Sequence, residues 1–419
     1  MSKMDFRKTK LNIYNIRNNF FFKFFFTVFL ISCSTKHNQS DLFLDGDYYT
    51  IDLDGEKESS IPLSSLFKNI RTILLETGDD CLIGRINDLQ VFDGCIYILD
   101  TRMAKSLFVF DMEGKYIRKI GSFGSGPGEY VSINDFTLDT ENRIIFLSDH
   151  SNRIHKYKFD GTYLHTITID APNSHVDYIQ FYNRRLYVYG VVLKKSEDDY
   201  MLLEVDPSDG KILSRSLPIK FNKGWDKSLN HSLTRFFMSR ANDPPRFNLM
   251  FMDYVVSIGE DIIPYIELKS KNLTTEKDID DFRDKDGRQI TPLNMLNSKK
   301  LFHVHCFIEN DDFISFRCGF THYTAFVVLY YKKTGEMKLA EILSNDLIFR
   351  QDKQGKLGRF RFADSKGAYE ILDTQDDDAV FDVKSAIRRN EVAPGLDKLD
   401  QLLNLTADSN PVIFFYEFK

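Results

Sequence analysis

Several kinds of residue and pattern are scarce in this chain, and each scarcity removes a class of function. Its 419 residues include five cysteines and a single tryptophan. No Ser-His-Asp or Cys-His arrangement can be assembled from the spacing of the residues, so nucleophilic catalysis has no signature here. There is no basic stripe. The first 33 residues hold six Lys/Arg and one Asp; without them 49 basic residues stand against 60 acidic ones, a formal charge of −11. Such a body is a poor partner for nucleic acid, which needs a basic surface to displace its counterions. Long apolar runs are missing too. The longest, residues 20–31, falls short of the roughly 20 residues a membrane-spanning helix needs. Cys81, Cys95, Cys306 and Cys318 could oxidise in an exported protein. They read mainly as small buried hydrophobes. Cys306 and Cys318 flank a turn at 309–312, where a regular hairpin would set Cys306 opposite a residue near 315, so the two thiols need not meet.

The N-terminus reads as an address. Lys3, Arg7, Lys8, Lys10 and Arg17 form a basic leader, and the apolar stretch 20–31 has the length of a signal-peptide core. It ends at Leu30-Ile31-Ser32-Cys33, which resembles the bacterial lipobox. That resemblance implies acylation of the Cys33 thiol and removal of residues 1–32. Residues 33–47 then form the lipidated cysteine and a flexible polar tether, leaving 48–419 as the folded body. Acyl chains would hold that body at a bilayer, each buried methylene contributing about 0.8 kcal/mol.

What the chain does have is aromatic residues, 37 Phe and 20 Tyr, and a segment that occurs twice. Aromatic side chains suit a pleated, half-buried surface. Residues 86–121 and 133–168 align: Ile86-Asn87-Asp88 returns as Ile133-Asn134-Asp135, and Gly114 as Gly161, both 47 positions on. A period of this size marks a repeat architecture. Each copy reads as four short strands joined by hairpins, the first with runs at 88–92 and 95–99 around Asp93-Gly94, a two-residue turn that favours positive φ. Weaker copies occupy 176–217 and 301–342, and a degenerate one lies near 247–268.

A lone four-stranded sheet leaves two apolar faces exposed. Arranging copies around an axis buries both and leaves only short edges, whereas solenoid repeats are usually shorter and lack four hairpinned strands. The expected fold is therefore an all-β, six-bladed β-propeller, with residues 70–76 and 411–418 from the two chain ends sharing the closing blade. Residues 227–240 and 396–405 have helical apolar spacing, 275–283 is a charged helix-like piece, and all three are expected to be helical insertions over the ring.

The join at 121–130 (GSFGSGPGEY), followed by Leu147-Ser148-Asp149, Asn152-Arg153-Ile154 and Phe159-Asp160-Gly161, resembles an NHL-repeat blade. Together with 61–87 and the C-terminal 409–419 (SNPVIFFYEFK), it is similar to a family of exported six-bladed β-propeller lipoproteins of Gram-negative bacteria. The resemblance covers nearly all of the mature chain and is weak over 220–300. It implies a TolB-like ring at the cell envelope, on the outer membrane and facing either the periplasm or the outside. It implies no settled activity and carries over no catalytic residues.

Candidate sites each have a plain structural alternative. The glycine-rich 121–128 lacks a phosphate-loop ending and reads as tight turns between blades. Asp149, Asn152 and Arg153 suit backbone groups in a turn, and their place near the ring mouth leaves a binding role open. His303 and His305 lie two apart on a strand and so share a face. With His322 they could begin a zinc site, or they could line a polar channel. Asp278, Asp280, Asp281, Asp284 and Asp286 with Gly287 give half of a calcium loop without its closing Glu, and read as a solvated acidic face, as do Asp376–Asp378. Trp225 is a recognition platform or a packing residue. No metal or other cofactor is called for.

These features leave three functions. The first is an envelope binding module for a peptide, a glycan or another envelope protein. The second is a propeller enzyme, a metal-assisted lyase or hydrolase of glycans or lactones, which needs several His or carboxylates converging on the channel. The third is an architectural part of an envelope assembly, which needs a large apolar patch.

Overall fold

The computed structural model describes residues 48–171, 174–192, 200–219, 222–224, 243–283, 292–319, 325–350 and 357–419. The leader, Cys33, the tether, Trp225, residues 227–240, His322 and the segment 284–287 lie outside them. The described strands form six blades and one short parallel pair, Ser122–Phe123 with Glu129–Tyr130, in the join between blades 1 and 2.

Blade 1 is the meander Asp88–Phe92, Cys95–Asp100, Ser106–Asp111 and Tyr116–Ile120. Blade 2 repeats it with Asp135–Asp139, Ile144–Ser148, Arg153–Lys158 and Tyr163–Thr168. Blade 3 uses Ser174–Tyr182, Arg185–Val192, Tyr200–Val205 and Ile212–Pro218. Local turn chemistry sets these registers. Asp93 (φ 51°) and Gly94 (φ 73°) both adopt the left-handed conformation between the paired Phe92 and Cys95, the two-residue turn whose twist matches its strands. Asn183 (φ 46°) and Arg184 (φ 61°) do the same between Tyr182 and Arg185.

Blade 5 consists of Val304–Glu309, Phe313–Cys318, Phe326–Tyr331 and Met337–Ser344. Blade 6 closes the ring as expected. Phe362–Ala363, Gly367–Leu372 and Val412–Phe418 come from the C-terminal part of the chain, and Phe67–Leu74 pairs antiparallel to the last of them, from Val412↔Leu74 to Phe418↔Phe67. Blade 4, the degenerate copy, holds Arg246–Phe247, Tyr254–Ile258 and Ile262–Lys269.

Two further strands, on blade edges, have no counterpart in the sequence reading. Tyr49–Asp52 runs parallel to Ile262–Lys269 on the edge of blade 4, and Lys57–Pro62 runs parallel to Met337–Ser344 on the edge of blade 5. Parallel edge strands belong to no hairpin and repeat nothing, so no local pattern announces them.

The apolar core is divided into layers, one between each pair of neighbouring blades. Tyr97, Leu107, Phe136 and Leu147 fill the layer between blades 1 and 2, and Ile73, Phe415, Ile96 and Phe110 fill the one between blades 6 and 1. Blades 2/3, 3/4, 4/5 and 5/6 share equivalent layers. Six layers for six sheets is the signature of closure, since an open row of six would have five.

Helices fill in around the ring. Helix α1 (Glu276–Asp281) is capped by Thr275 in a reciprocal capping box with Asp278. It packs Ile279 against Phe282, Met295 of α2 (Pro292–Ser298) and Phe302. Helix α3 (Asp377–Arg388) buries Ala379, Val383 and Ala386 in the 5/6 layer. Helix α4 is shorter than the 396–405 expected from leucine spacing, at Leu399–Leu403.

Candidate functional site

One rim of the ring gathers the starts of the innermost strands and the loops between second and third strands. Backbone and side-chain bonds tie these loops together: Thr101 N donates to Asn87 Oδ1 (2.9 Å), His150 N to Ser132 Oγ (3.0 Å) and Gly319 N to His303 O (3.4 Å). This rim is the mouth toward which the sequence places its candidates.

Asp149, fully buried, organises the blade 2 loop at this rim. Its Oδ1 accepts from the backbone N–H of Ser151 (2.7 Å) and Arg153 (3.2 Å), and its Oδ2 from Arg153 Nε (2.8 Å) with His155 Nε2 at 3.2 Å. Burial alone would push the Asp149 carboxyl up; the bonds from His155, Ser151 and Arg153 outweigh it and hold the carboxyl below the usual range. Asn152 (φ 56°) clamps blade 2 to blade 3, its Nδ2 donating to Ala171 O (3.1 Å) and its Oδ1 accepting from Val176 N (3.1 Å). The polar atoms of Asp149 and Asn152 thus serve the turn and the blade joint.

Asp100 does the corresponding work in blade 1 and was not singled out from the sequence. Its two oxygens accept from the N–H groups of Gly84, Arg85, Arg102, Met103 and Ala104 at 2.8–3.2 Å. The available signal was its place at the end of a second strand, the position of Asp149.

His303 and His305 do come together. Their rings stack with centroids 5.2 Å apart and planes 16° from parallel. His305 pairs in register with Arg317, and a bulge between His305 and Ile308 leaves Cys306 in the left-handed region at φ 55°. The expected register is corrected: Ser315 faces Ile308, not Cys306, because the turn is centred one residue later, and the bulge then sets His305 instead of Cys306 opposite Arg317. Cys306 and Cys318 are both free, and Cys318 is buried.

Strand alternation decides which way this group points. Ile314, Phe316 and Cys318 lie in the 4/5 layer and Phe313 in the 5/6 layer, so Arg317 turns toward blade 6, and His305 with it. Facing them is Glu370 of blade 6, on the same side as Ala368 and Leu372. Glu370 is buried and accepts from Gly358 N, Arg359 N (2.9 Å) and Tyr416 Oη (2.9 Å). Burial pushes its carboxyl up against the pull of those bonds. Burial also pushes the Cys306 thiol up, while the charges of Arg317, Arg361 and Arg359 draw it down and Glu370 adds to the rise. Cys306, Arg317, Arg359, Arg361 and Glu370 therefore gather at the joint between blades 5 and 6.

A second buried charged group joins blades 4 and 5. Glu309 accepts from Arg246 Nε (3.3 Å), Lys332 Nζ (2.5 Å) and Tyr265 Oη, and Arg246 lies 3.6 Å from the Tyr265 ring centre. Two cations on one buried carboxylate make a self-contained strut.

Among the described residues no three His, Cys, Asp or Glu side chains gather in a way that would hold a metal ion. Asp278 is engaged in the α1 cap and with Lys300 (3.0 Å), and Asp280 lies 3.5 Å from Arg283. Asp376 caps α3 through Ala379 N (3.3 Å), so the 376–378 run is a helix start as well as an acidic surface. Exposed apolar side chains collect elsewhere on the rim, at blades 1 and 2: Met103 is 73% exposed, Phe123 63%, Leu82 52% and Val131 45%. Lys105 lies over the Phe123 ring at 5.5 Å.

Among solved structures, the chain is similar to a Bacteroides fragilis protein titled "Putative exported protein", with a TM-score of 0.68, 17% identity, and coverage of 89% of this chain and 100% of that one. It is also similar to a member of the DUF4221 family from Bacteroides vulgatus, with a TM-score of 0.49, 9% identity, and coverage of 83% and 98%. The first likeness supports the propeller fold. No curated protein matches. No helix among the described residues is long and apolar enough to cross a membrane. The model of one family, described as "Domain of unknown function (DUF4934)", matches residues 48–417, the whole ring but its last two residues, and the chain belongs to that family.

Proposed function

We propose that this chain is a lipid-anchored envelope propeller that binds a partner at one ring mouth without performing chemistry. The observation that carries this reading is the set of exposed apolar tips, Leu82, Met103, Phe123 and Val131, on the loops of blades 1 and 2. Apolar side chains held on a rigid loop scaffold favour a polypeptide partner, another envelope protein, over a glycan. The anchor is Cys33, on the strength of the leader and lipobox-like tetrapeptide, in keeping with an exported structural relative. Kinship with NHL-repeat and TolB-like propellers belongs to the same reading and rests on the Asp149, Asn152-Arg153 and Asp160-Gly161 pattern. The metal-assisted enzyme is not advanced, because among the described residues no three His, Cys, Asp or Glu side chains, the stacked His303 and His305 included, are arranged to hold a metal ion.

The test is capture of native partners by the lipoprotein cross-linked in its own envelope. Met103→Glu with Phe123→Glu, both at exposed positions, should reduce a specific co-purifying envelope protein at least tenfold. An unchanged partner set would remove the rim from the account. Cys33→Ala should move the chain from the membrane to the soluble fraction and abolish acyl labelling.

A further inference from the structure

We propose that the joint between blades 5 and 6 forms an oxyanion site around Arg317, taking a carboxylate or phosphate group of a small ligand at the ring mouth. The assignment deepens the binding reading above and rests on that mouth being a binding face. Three observations point to it.

Arg317 is only 7% exposed, and among the described residues its one side-chain hydrogen bond is Nη2 donating to Ala325 O at 2.5 Å. Its Nε is buried and meets no acceptor, and no carboxylate pairs with it among the described residues. A buried guanidinium whose five donors meet one neutral acceptor among the described residues is a desolvated cation suited to an anion. The fork of an arginine fits the two oxygens of a carboxylate or phosphate.

The surroundings carry the same sign. Arg359 and Arg361 lie close enough to act on the same thiol as Arg317, and Arg359 also acts on Arg317 itself. Glu370, the blade 6 carboxylate on this face, is held by two backbone N–H groups and Tyr416. Three arginines acting on one thiol favour an anion over a cation at this joint.

The backbone is bent to build it. Cys306 takes a left-handed φ inside an innermost strand, at the bulge opposite Arg317. A non-glycine residue in that conformation stores strain, and bulges of this kind re-aim a side chain beside a site. Here the bulge brings the thiol beside His305, Nδ1 to Sγ being 3.3 Å.

Calorimetry on the full lipoprotein in detergent, at low ionic strength, with inorganic phosphate and with D-glucuronate as probes, tests the proposal. At least one probe should bind saturably, and which one identifies the phosphoryl or carboxylate source. Arg317→Lys, and Arg361→Ala at an exposed position that folding tolerates, should each weaken binding at least tenfold. Met103→Glu with Phe123→Glu should leave it unchanged, so a failed partner capture and a failed anion site are separable. As a second readout, anionic iodoacetate should gain on neutral iodoacetamide at Cys306 relative to Cys95, and phosphate should slow the reaction at Cys306. The proposal is overturned if neither probe saturates, if Arg361→Ala binds as tightly as the unaltered chain, or if Cys306 and Cys95 show the same reagent ratio.

Discussion

Gly114 and Gly94 show how one residue type is held in place by different forces. Both have positive φ, 90° and 73°. A side chain at Gly94 would meet nothing within 4 Å, whereas a Cβ at Gly114 would stand 2.1 Å from the carbonyl oxygen of Leu74, where blade 1 meets the closing strand. Gly94→Ala should therefore cost only the left-handed penalty, about 1 kcal/mol. Gly114→Ala should cost at least about 2–3 kcal/mol, because backbone must shift as well. Chemical denaturation of the two variants checks the order, and equal costs would refute it. Asp149 supplies the pH dependence. Its folded-state carboxyl lies below the unfolded value of about 3.9. Its contribution is thus complete above that value and is lost as pH falls through the folded one. Asp149→Asn should cost about 2 kcal/mol near neutral pH and progressively less in acid, read from urea midpoints at several pH values. At this scale the sequence was partly legible. The Asp149 and Asn152 turn roles and the shared face of His303 and His305 follow from strand ends and a period of two. Arg317, Arg359 and Arg361 did not stand out, because they come from two blades and meet only through the fold.

At the scale of elements, legibility follows hairpins. Blades 1 and 2 are readable almost to the residue because tight turns and a 47-residue repeat both mark them. The closing pair Phe67–Leu74 and Val412–Phe418 is readable because each is a strongly apolar strand without a local partner. The edge strands are different. Lys57–Pro62 has exposed or half-buried residues except Ile61, and Tyr49–Asp52 buries only Ile51 beyond half-burial, so neither shows an alternating pattern. Helix α3 escaped notice because its first residues, Asp376 to Asp378, read as charge although chemically they are a cap and a first turn at the positive end of a helix dipole. The Cys306 bulge has no sequence mark at all, since one extra residue in a strand alters pairing without altering composition.

The whole molecule adds a point that no single blade contains. The N-terminal part of the body visits three consecutive blades before the first complete repeat begins: Tyr49–Asp52 edges blade 4, Lys57–Pro62 edges blade 5 and Phe67–Leu74 completes blade 6. The chain then builds blades 1, 2 and 3 and returns to finish 4, 5 and 6 from inside. Closure is therefore an overlap of three blades, not a single shared sheet. Ile51, Leu53 and Ile61 are buried in the layers they cover, and Ser64 N donates to Asp346 Oδ1 at 2.9 Å between the last two stations. Removing residues 48–62 leaves the blade 6 strand in place but strips blades 4 and 5 of their outer edge. Each exposed edge then offers unpaired backbone groups to another chain, and three buried apolar side chains are lost, at about 2–3 kcal/mol each. The truncated chain should still form the 6/1 joint, melt at a lower temperature with blades 4 and 5 opening first in hydrogen exchange, and self-associate in sizing experiments. A truncated chain that melts at the same temperature as the intact one and stays monomeric would mean that the single sheet of blade 6 suffices to close the ring.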